Sequence, residues 1–592
     1  MRWWDEYPAV LDEELTALQE SGLQPVKDDE SFARGLAVVR IKLTIFGQGE
    51  NGWIEYPQLY PYFRPVVNCL GLGGGLRHYN PHTGEICLLK RGTGEWQPCR
   101  TAAKHIVEML PEWERAAVRG FDDSRLDTED HQAEPQSAYF APFKNQIFLM
   151  DSSWSLPEKV REGLLRIFST HPIRKISPHK PLKAWVHSIQ KSDKSVVGDC
   201  SVNPAIGAYA TAKTNSVDTI RWSRIDKVPR LSSGVTFCES IRAINPVAYR
   251  VIDNEINKGR SGVHGFCFKE EAPGGGYRDG WLFLAYQTKM YKEGGKKKIE
   301  VATWVITTEA IGENDLFQRV PELRPLREKT VAVIGLGCVG APSALEFARA
   351  GVAELRLWDG DYVSSGTVCR WPEGMSAITS GKVQFLSEKI RENYPLTRIG
   401  TDHYPDAGND DFRIILGQVT PDYDQFEGLK RLLDGADLIY DATAELGINH
   451  LIADMAKKYS IPYVAVSSRP GGWGGSVVRI LSGKGCFLCY LRALEEGKIS
   501  QPTFDPEGDE LQPVGCGDLT FKATSFDVQE ISLAGVRMAI SIMCDGSSGD
   551  YPAMDNDVGI LHLRENGKAI FPKWESFELE KHPDCSNPWC GK

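Results

Sequence analysis

Two pairs of closely spaced cysteines are the residues whose spacing points most directly to a metal. Cys486 and Cys489 form one pair, and Cys585 and Cys590 form the other. Tetrahedral Zn²⁺ favours four thiolates, and each short segment can present two sulfurs to the same ion. The spacing therefore predicts a structural zinc site that joins two distant parts of the chain. The alternative is two incidental pairs without a metal.

A glycine-rich turn is the second feature with chemical meaning. Gly335, Gly337 and Gly340 follow a predicted buried strand, Thr330–Ile334, and precede a predicted helix. Glycines let the backbone approach phosphates closely, and a helix N-terminus supplies amide donors and partial positive charge. Asp359 lies about 20 residues further on, where a carboxylate can accept hydrogen bonds from ribose hydroxyls. Taken alone, this pattern fits an NAD-dependent dehydrogenase.

The charged residues that follow the turn change this interpretation. Asp359 and Asp361 are followed by Arg370 and Lys382, which places two cations near the phosphates. Nucleotidyl transfer must stabilise charge on the α-phosphate and on the leaving pyrophosphate, whereas hydride transfer has no such need. The sequence therefore favours adenylation with ATP. Asp441, at the end of a later strand, is the candidate ligand for Mg²⁺, and the alternative is that it caps a turn.

In the order of these motifs, roughly residues 315 to 592 resemble the ubiquitin-activating superfamily, which includes the bacterial thiamine- and molybdopterin-synthesis adenylating enzymes. The resemblance implies a Rossmann-like domain that binds ATP at the glycine turn, with ribose held by Asp359 and phosphates contacted by Arg370 and Lys382. It also implies a homodimer paired through this domain. Two positions depart from the family pattern: Thr367 replaces the usual Asn, and Ala444 replaces a second acidic residue.

Cys516 is the first candidate nucleophile. Glycines on both sides of it leave the thiol accessible and backbone amides nearby, which favours the thiolate. It falls where ubiquitin-activating enzymes place their thioester cysteine, between the two predicted zinc-binding pairs, in a catalytic-cysteine segment of roughly residues 490 to 530. The alternative is a free cysteine that precedes a core helix.

Cys87 is the second candidate nucleophile. The order Tyr-Pro-x-x-Tyr-Pro, His78-x-Asn80 and Gly-Glu-Ile-Cys87 resembles ubiquitin-conjugating enzymes over roughly residues 5 to 115. The resemblance implies that Cys87 is the nucleophile and that Asn80 supports the oxyanion of the attacked thioester. Tyr79 and Pro81 depart from the usual His-Pro-Asn order. The alternative is that Cys87 is a buried strand cysteine in an inactive relative.

These features predict a multidomain protein of the α/β and α+β classes. Residues 1–140 are predicted to form a ubiquitin-conjugating-like α+β domain, residues 141–315 a mixed linker or docking domain, and residues 316–592 the Rossmann-like adenylation domain. Alternating strands and helices after residue 329 predict a parallel sheet covered by helices. Lys296–Lys298, beside two glycines, predict an exposed hairpin tip.

Two candidate nucleophilic cysteines in one chain suggest that an acyl group is passed from one to the other. ATP would convert a partner's C-terminal carboxylate to an acyl-adenylate, Cys516 would capture it as a thioester, and Cys87 would pass it to an amine of a target. This order of domains resembles the fused proteins of bacterial cGAS-like (CBASS) anti-phage operons, which implies that the cGAS-like nucleotidyltransferase is the activated partner. The alternatives are a fused enzyme for a bacterial ubiquitin-like modifier, an NAD-binding oxidoreductase, and a non-catalytic scaffold that binds a partner's tail.

Composition limits the remaining classes of function. Hydrophobic residues are 42% and charged residues 25% of the 592 residues, values typical of globular proteins. The net charge of −11 argues against nucleic acid as a partner. The sequence has no 18-residue apolar stretch and starts without a signal-peptide pattern, so we expect a cytoplasmic protein without a membrane partner.

Overall fold

The computed structural model describes residues 2–72, 76–88, 96–119, 133–140, 145–199, 216–226, 228, 237–272, 276–400, 423–507, 510–511, 520–544, 546 and 549–590. These residues form two compact units. The first unit ends at Gln318 and the second begins at Arg319. Among the described residues, no helix is both long enough and apolar enough to cross a membrane.

The N-terminal part of the first unit is an antiparallel sheet packed against helices. Its described strands pair in sequential order: β1 (Val26–Lys27), β2 (Ala37–Ile45), β3 (Gln48–Tyr56), β4 (Val66–Asn68) and β5 (Glu85–Ile86). The accompanying helices are α1 (Trp3–Glu6), α2 (Pro8–Glu20), α3 (Asp29–Ala33) and α4 (Ala102–Ala117). Strand β2 alternates buried and exposed residues, as its sequence predicts. Helix α4 begins at the predicted cap, where the Thr101 hydroxyl accepts a hydrogen bond from the Lys104 N–H.

The rest of the first unit is a closed β-barrel. Its described strands are β6 (Gln146–Met150), β7 (Glu162–Ser169), β8 (Leu182–Lys191), β9 (Val196–Asp199), β10 (Ser216–Arg224), β11 (Gly262–Glu271), β12 (Tyr277–Glu293) and β13 (Lys296–Ala310). The barrel closes because β6 pairs with both β13 and β8, while β9 extends outward from β8. Helices α5 (Phe237–Ile244) and α6 (Pro246–Asn257) share a hydrophobic core with the barrel wall, and a short helix α7 (Glu313–Leu316) follows. The predicted hairpin tip lies between β12 and β13, where Gly294 and Gly295 adopt positive φ.

The second unit is built on one long sheet. Its described strands are β14 (Thr330–Ile334), β15 (Glu354–Trp358), β16 (Arg398–Ile399), β17 (Leu438–Asp441), β18 (Tyr463–Ser468), β19 (Gly474–Ile480), β22 (Val558–Glu565) and β23 (Lys568–Phe577). They lie in the order β16-β15-β14-β17-β18-β19-β22-β23, with parallel pairing up to β18 and antiparallel pairing beyond it. A separate hairpin joins β20 (Glu510–Leu511) and β21 (Thr520–Phe521).

Helices cover both faces of this sheet, as the alternation of strands and helices predicts. They are α8 (Gly340–Arg349), α9 (Lys382–Asn393), α10 (Tyr423–Leu433), α11 (Leu446–Tyr459), α12 (Phe487–Glu495) and α13 (Ser525–Met543). Val331 and Val333 of β14 enter one hydrophobic core, and the alternate residues Ala332 and Ile334 enter another. The sheet thus has a hydrophobic core on each of its two faces. The carboxyl ends of its central parallel strands all lie at the same edge of the sheet, and parallel sheets of this kind bind ligands at that edge.

Candidate functional site

The glycine turn joins β14 to α8, and two of its glycines are required by the fold. Gly335 has a φ of 83°, and a Cβ on Gly340 would lie 1.8 Å from the carbonyl oxygen of Gly335. Gly337 differs from both, because a Cβ built there would meet no atom within 4 Å. The absence of a side chain at Gly337 therefore leaves open space beside the backbone, which suits the close approach of a ligand.

Asp359 lies at the end of β15 and ties the turn to the following loop. One carboxylate oxygen accepts a hydrogen bond from the N–H of Leu336 at 2.6 Å, and the other accepts from the N–H of Asp361 at 2.8 Å. The buried Lys382, the first residue of α9, contacts both acids, with Nζ 2.9 Å from Asp361 and 3.6 Å from Asp359. The structure thus brings these three predicted residues together next to the glycine turn.

The predicted cations act on the same turn. Burial raises the pKa of the Cys338 thiol within the turn, and the charges of Arg370 and Lys382 oppose this effect. Nη1 of Arg370 also donates to the carbonyl oxygen of Phe521 in β21 at 2.7 Å. Cys516 lies outside the described residues, between β20 and β21. Arg370 therefore lies within electrostatic range of the glycine turn and is hydrogen-bonded to β21, the strand that follows Cys516 in sequence.

Asp441, the predicted magnesium ligand, is fully buried at the end of β17. One of its carboxylate oxygens accepts from the N–H and the hydroxyl of Thr443, and the other accepts from Asn449 and the Tyr463 hydroxyl. Burial raises the pKa of this carboxyl, and the same hydrogen bonds oppose the change. These contacts match the turn-capping alternative. Magnesium binding by Asp441 stays a prediction that they do not support.

The four predicted zinc ligands come together in space. Their sulfurs all lie within 4.8 Å of one another, and adjacent sulfurs are 3.7, 3.6 and 3.5 Å apart. A tetrahedron with Zn–S bonds of about 2.3 Å has sulfurs about 3.8 Å apart, so the cluster has the size that zinc needs. The set comprises Cys486, Cys489, Cys585 and Cys590.

Lys457 compensates for charge beside this cluster. Its ammonium group donates to the carbonyl oxygens of Leu481 and Lys484 at 2.7 and 2.8 Å. Burial lowers the pKa of Lys457, and the nearby thiolate charges of the four cysteines oppose that effect. A buried cation next to four thiolates suits a zinc site, because four thiolates and one Zn²⁺ carry a net charge of −2.

Cys87 lies at the end of a short antiparallel hairpin in the first unit. Tyr79 pairs with Ile86, the Cys87 N–H donates to the His78 carbonyl at 2.8 Å, and the Asn80 N–H donates to Glu85 at 2.9 Å. The Asn80 side-chain oxygen accepts from the N–H groups of residues 82 and 83, so it caps the turn of the hairpin. Asn80 Nδ2 has no partner among the described residues, and its predicted role toward an oxyanion stays a prediction.

The sequence does not predict the contact of Glu134 with this hairpin. Glu134 accepts from the His78 N–H at 2.6 Å, and its other oxygen lies 2.5 Å from Nδ1 of His78. The acidic run that contains Glu134 indicates only a domain boundary in the sequence. No local pattern links it to a histidine 56 positions earlier.

Comparisons with known proteins agree with the geometry of the second unit. Residues 309–512 match the ThiF family. The chain is 28% identical over 580 residues to the uncharacterized protein y4qC of Sinorhizobium fredii, an alignment that covers 94% of this chain and 93% of that protein. It is 23% identical over 175 residues to the sulfur carrier protein ThiS adenylyltransferase of Bacillus subtilis, covering 29% of this chain and 47% of that protein.

Among solved structures, Escherichia coli MccB aligns with a TM-score of 0.33 and 13% identity, covering 47% of this chain and 73% of MccB. The family match spans the glycine turn and also includes Asp359, Arg370 and Lys382. The C-terminal region of this chain therefore contains an adenylation domain of the ThiF/MoeB type.

Proposed function

We propose that the protein activates the C-terminal carboxylate of a partner protein with ATP and passes the acyl group through two cysteines to an amine. The partner we propose is a cGAS-like nucleotidyltransferase of a bacterial anti-phage operon. A ubiquitin-like modifier is the alternative partner for the same chemistry. The observation that carries the proposal is the convergence of Gly337, Asp359, Lys382 and Arg370 on one turn of a ThiF-type domain.

These residues suit a triphosphate. Gly337 leaves room beside the backbone for a phosphate. The Lys382 ammonium group pairs with Asp361 and can exchange this partner for a more negative ligand. Adenylation places charge on the α-phosphate and on the departing pyrophosphate, and fixed cations stabilise both. Lys382 and Arg370 are the residues that supply this charge. Binding of NAD would leave the pair of cations without a function.

The contact of Arg370 with Phe521 supports capture of the acyl group by Cys516. Phe521 ends the hairpin strand that follows the connection bearing Cys516. Cys516 would attack the acyl-adenylate, form a thioester and release AMP. Cys87 in the first unit would then accept the acyl group, and an amine of the target would attack the second thioester. Splitting the condensation into these steps lowers the barrier of each one.

The first unit supports the conjugating role through its order of elements. A helix, an antiparallel meander, the hairpin with Asn80 and Cys87, and helix α4 follow one another in the described chain. Cys87 is partly exposed rather than buried, as a nucleophile must be. A zinc ion bound by the four clustered cysteines would hold the C-terminal cysteine pair against helix α12. We also propose that the protein works as a homodimer, as the resemblance to the ubiquitin-activating superfamily implies.

The test is to map thioesters on the full-length protein. With Mg-ATP and the protein encoded by the neighbouring gene, we expect an adduct that reducing agents remove. Cys516→Ala should form none, and Cys87→Ala should accumulate the adduct on Cys516. Cys99→Ala, which removes an exposed cysteine of the first unit, is the matched control and should behave as the unmodified protein. An adduct that persists in Cys516→Ala, or none with either class of partner, contradicts the proposal.

A further inference from the structure

We propose that Trp371 is a positioning residue of the nucleotide site, which turns the N–H group of Gly337 toward the phosphates of ATP. The indole acts through the backbone of the glycine turn and not by contact with the nucleotide. The inference names a further residue for ATP binding and therefore rests on the proposed function. It is carried by the hydrogen bonds of Leu336, by the geometry of one peptide bond, and by the open space at Gly337.

The backbone of Leu336, between two glycines of the turn, is held from two sides. Its N–H donates to a carboxylate oxygen of Asp359 at 2.6 Å, and its carbonyl oxygen accepts from Nε1 of Trp371 at 2.9 Å. The Leu336 side chain is fully buried in one of the two cores beside the sheet. The peptide groups on both sides of Leu336 are therefore fixed in orientation.

The orientation of the Leu336 carbonyl decides where the next N–H points. The peptide bond between Leu336 and Gly337 is trans, so its C=O and N–H groups point in opposite directions. Because Trp371 holds the carbonyl oxygen, the Gly337 N–H points away from the indole. This N–H has no hydrogen bond to any residue that the structure describes. A Cβ at Gly337 would meet no atom within 4 Å, so the backbone here is open to a phosphate oxygen.

Trp371 is itself fixed by packing and by the turn that carries Arg370. Its buried ring packs edge-to-face against Phe385 of α9, with ring centroids 5.7 Å apart. The N–H groups of Arg370 and Trp371 both donate to the Thr367 carbonyl oxygen at 2.9 Å. The Thr367 hydroxyl in turn donates to the Ser364 carbonyl oxygen at 2.7 Å. One short turn thus presents the cation Arg370 and the indole that orients the glycine turn.

The size of the expected effect follows from the hydrogen bond that the indole donates. Without this N–H, the buried Leu336 carbonyl loses its partner, and the free protein can satisfy it by turning the peptide group. ATP must then reverse that turn in order to bind, which lowers the apparent affinity. The net contribution of one hydrogen bond limits this change to about 2- to 12-fold.

The test measures ATP binding by the full-length protein and requires no partner protein. Trp371→Phe keeps an aromatic ring in the core and removes the N–H donor. We expect its dissociation constant for Mg-ATP, measured by isothermal titration calorimetry, to rise about 2- to 12-fold. Its affinity for adenosine, measured by NMR titration, should stay unchanged, because adenosine lacks the phosphates that the Gly337 N–H would contact. A purely structural role of Trp371 predicts that both ligands weaken alike.

Two matched variants separate positioning from a loss of stability. Trp304→Phe removes a buried indole hydrogen bond of the barrel, in which Nε1 donates to Gln146 at 2.7 Å. It should lower the melting temperature as Trp371→Phe does and leave ATP affinity unchanged. Phe385→Leu loosens the packing of Trp371 but keeps its N–H, so it should weaken ATP binding less than Trp371→Phe does. Equal losses of ATP affinity in Phe385→Leu and Trp371→Phe would overturn the inference.

A second measurement observes the Gly337 N–H in the unmodified protein. Labelling leucine carbonyl carbons with ¹³C and glycine nitrogens with ¹⁵N selects the amides of Leu-Gly pairs, of which the chain has five. The Gly337 signal is the one that Gly337→Ala removes, and we expect it to shift when ATP is added. A Gly337 signal that stays in place at saturating ATP, or unchanged ATP affinity in folded Trp371→Phe, would overturn the inference. An unmodified protein that binds no ATP would instead overturn the proposed function, and the inference with it.

Discussion

Substitution of Gly337 by alanine separates a ligand-binding role of the glycine turn from a structural one. The new Cβ meets no atom within 4 Å, and the backbone there lacks positive φ. We therefore expect the free energy of unfolding to change by no more than about 0.5 kcal/mol, as for substitutions that touch nothing. Gly340→Ala is different, because its Cβ would lie 1.8 Å from the Gly335 carbonyl and should destabilise the fold.

The cost to ATP binding follows from the same geometry. Hydrogen bonds between amides and phosphate oxygens need about 2.7–3.2 Å between heavy atoms, and a methyl group at Gly337 prevents that approach. Loss of one hydrogen bond to a charged group costs about 1.5–3 kcal/mol. The dissociation constant for ATP should therefore rise about 10- to 150-fold in Gly337→Ala.

Isothermal titration calorimetry with ATP at fixed Mg²⁺, together with thermal unfolding, measures both quantities. The matched control is Gly49→Ala in the first unit, where a Cβ also meets no atom within 4 Å. It should leave both ATP affinity and unfolding unchanged. A folded Gly337→Ala protein that binds ATP as tightly as the unmodified protein would refute the assignment of the turn to phosphate binding.

Three further results are expected. Lys382→Met should reduce pyrophosphate exchange about 100- to 1,000-fold, as for loss of one stabilising donor, with an unchanged circular dichroism spectrum; full exchange would contradict its role. Metal analysis should find one zinc per chain and less in Cys590→Ser, with a lower melting temperature after chelation; an equally stable metal-free protein would remove the zinc site. Burial lowers the pKa of His105 to about 4, so this neutral histidine stabilises the fold above pH 6.5 and its contribution is lost as pH falls toward 4. Between pH 7 and 4.5 the free energy of unfolding should fall by about 2.5 kcal/mol from this group, and denaturation of His105→Gln should lack that loss.

The sequence predicts the sheet of the second unit well because its signals are local. The buried strand Thr330–Ile334, the glycines after it and the acid at the end of the next strand all lie within one βαβ unit. The two metal-binding cysteine pairs can also be recognised in the sequence, because each pair spans only a few residues. Their convergence at 3.5–3.7 Å needs the whole fold, but tetrahedral ligation makes it the simplest expectation.

Other parts of the site depend on contacts between residues far apart in sequence. The position of Asp441 at a strand end predicts a metal ligand. In the fold, Tyr463, 22 positions later, donates one of the hydrogen bonds that occupy the Asp441 carboxylate. The polar sequence around Glu134 indicates only a domain boundary. Its contact with His78 forms only in the folded chain. Closure of the barrel through the β6–β8 pairing has no local signature either, because short strands pair alike in open and closed sheets.

The most direct measurement of the central claim is incorporation of labelled pyrophosphate into ATP by the full-length protein, with partner proteins that end in a free or an amidated carboxylate. Reversible adenylation predicts incorporation that requires the free carboxylate and disappears in Lys382→Met. Cys516→Ala should retain the exchange, because the acyl-adenylate forms before the thiol acts. Equal exchange with the amidated tail, or no exchange while NAD binds at the glycine turn, would contradict the account.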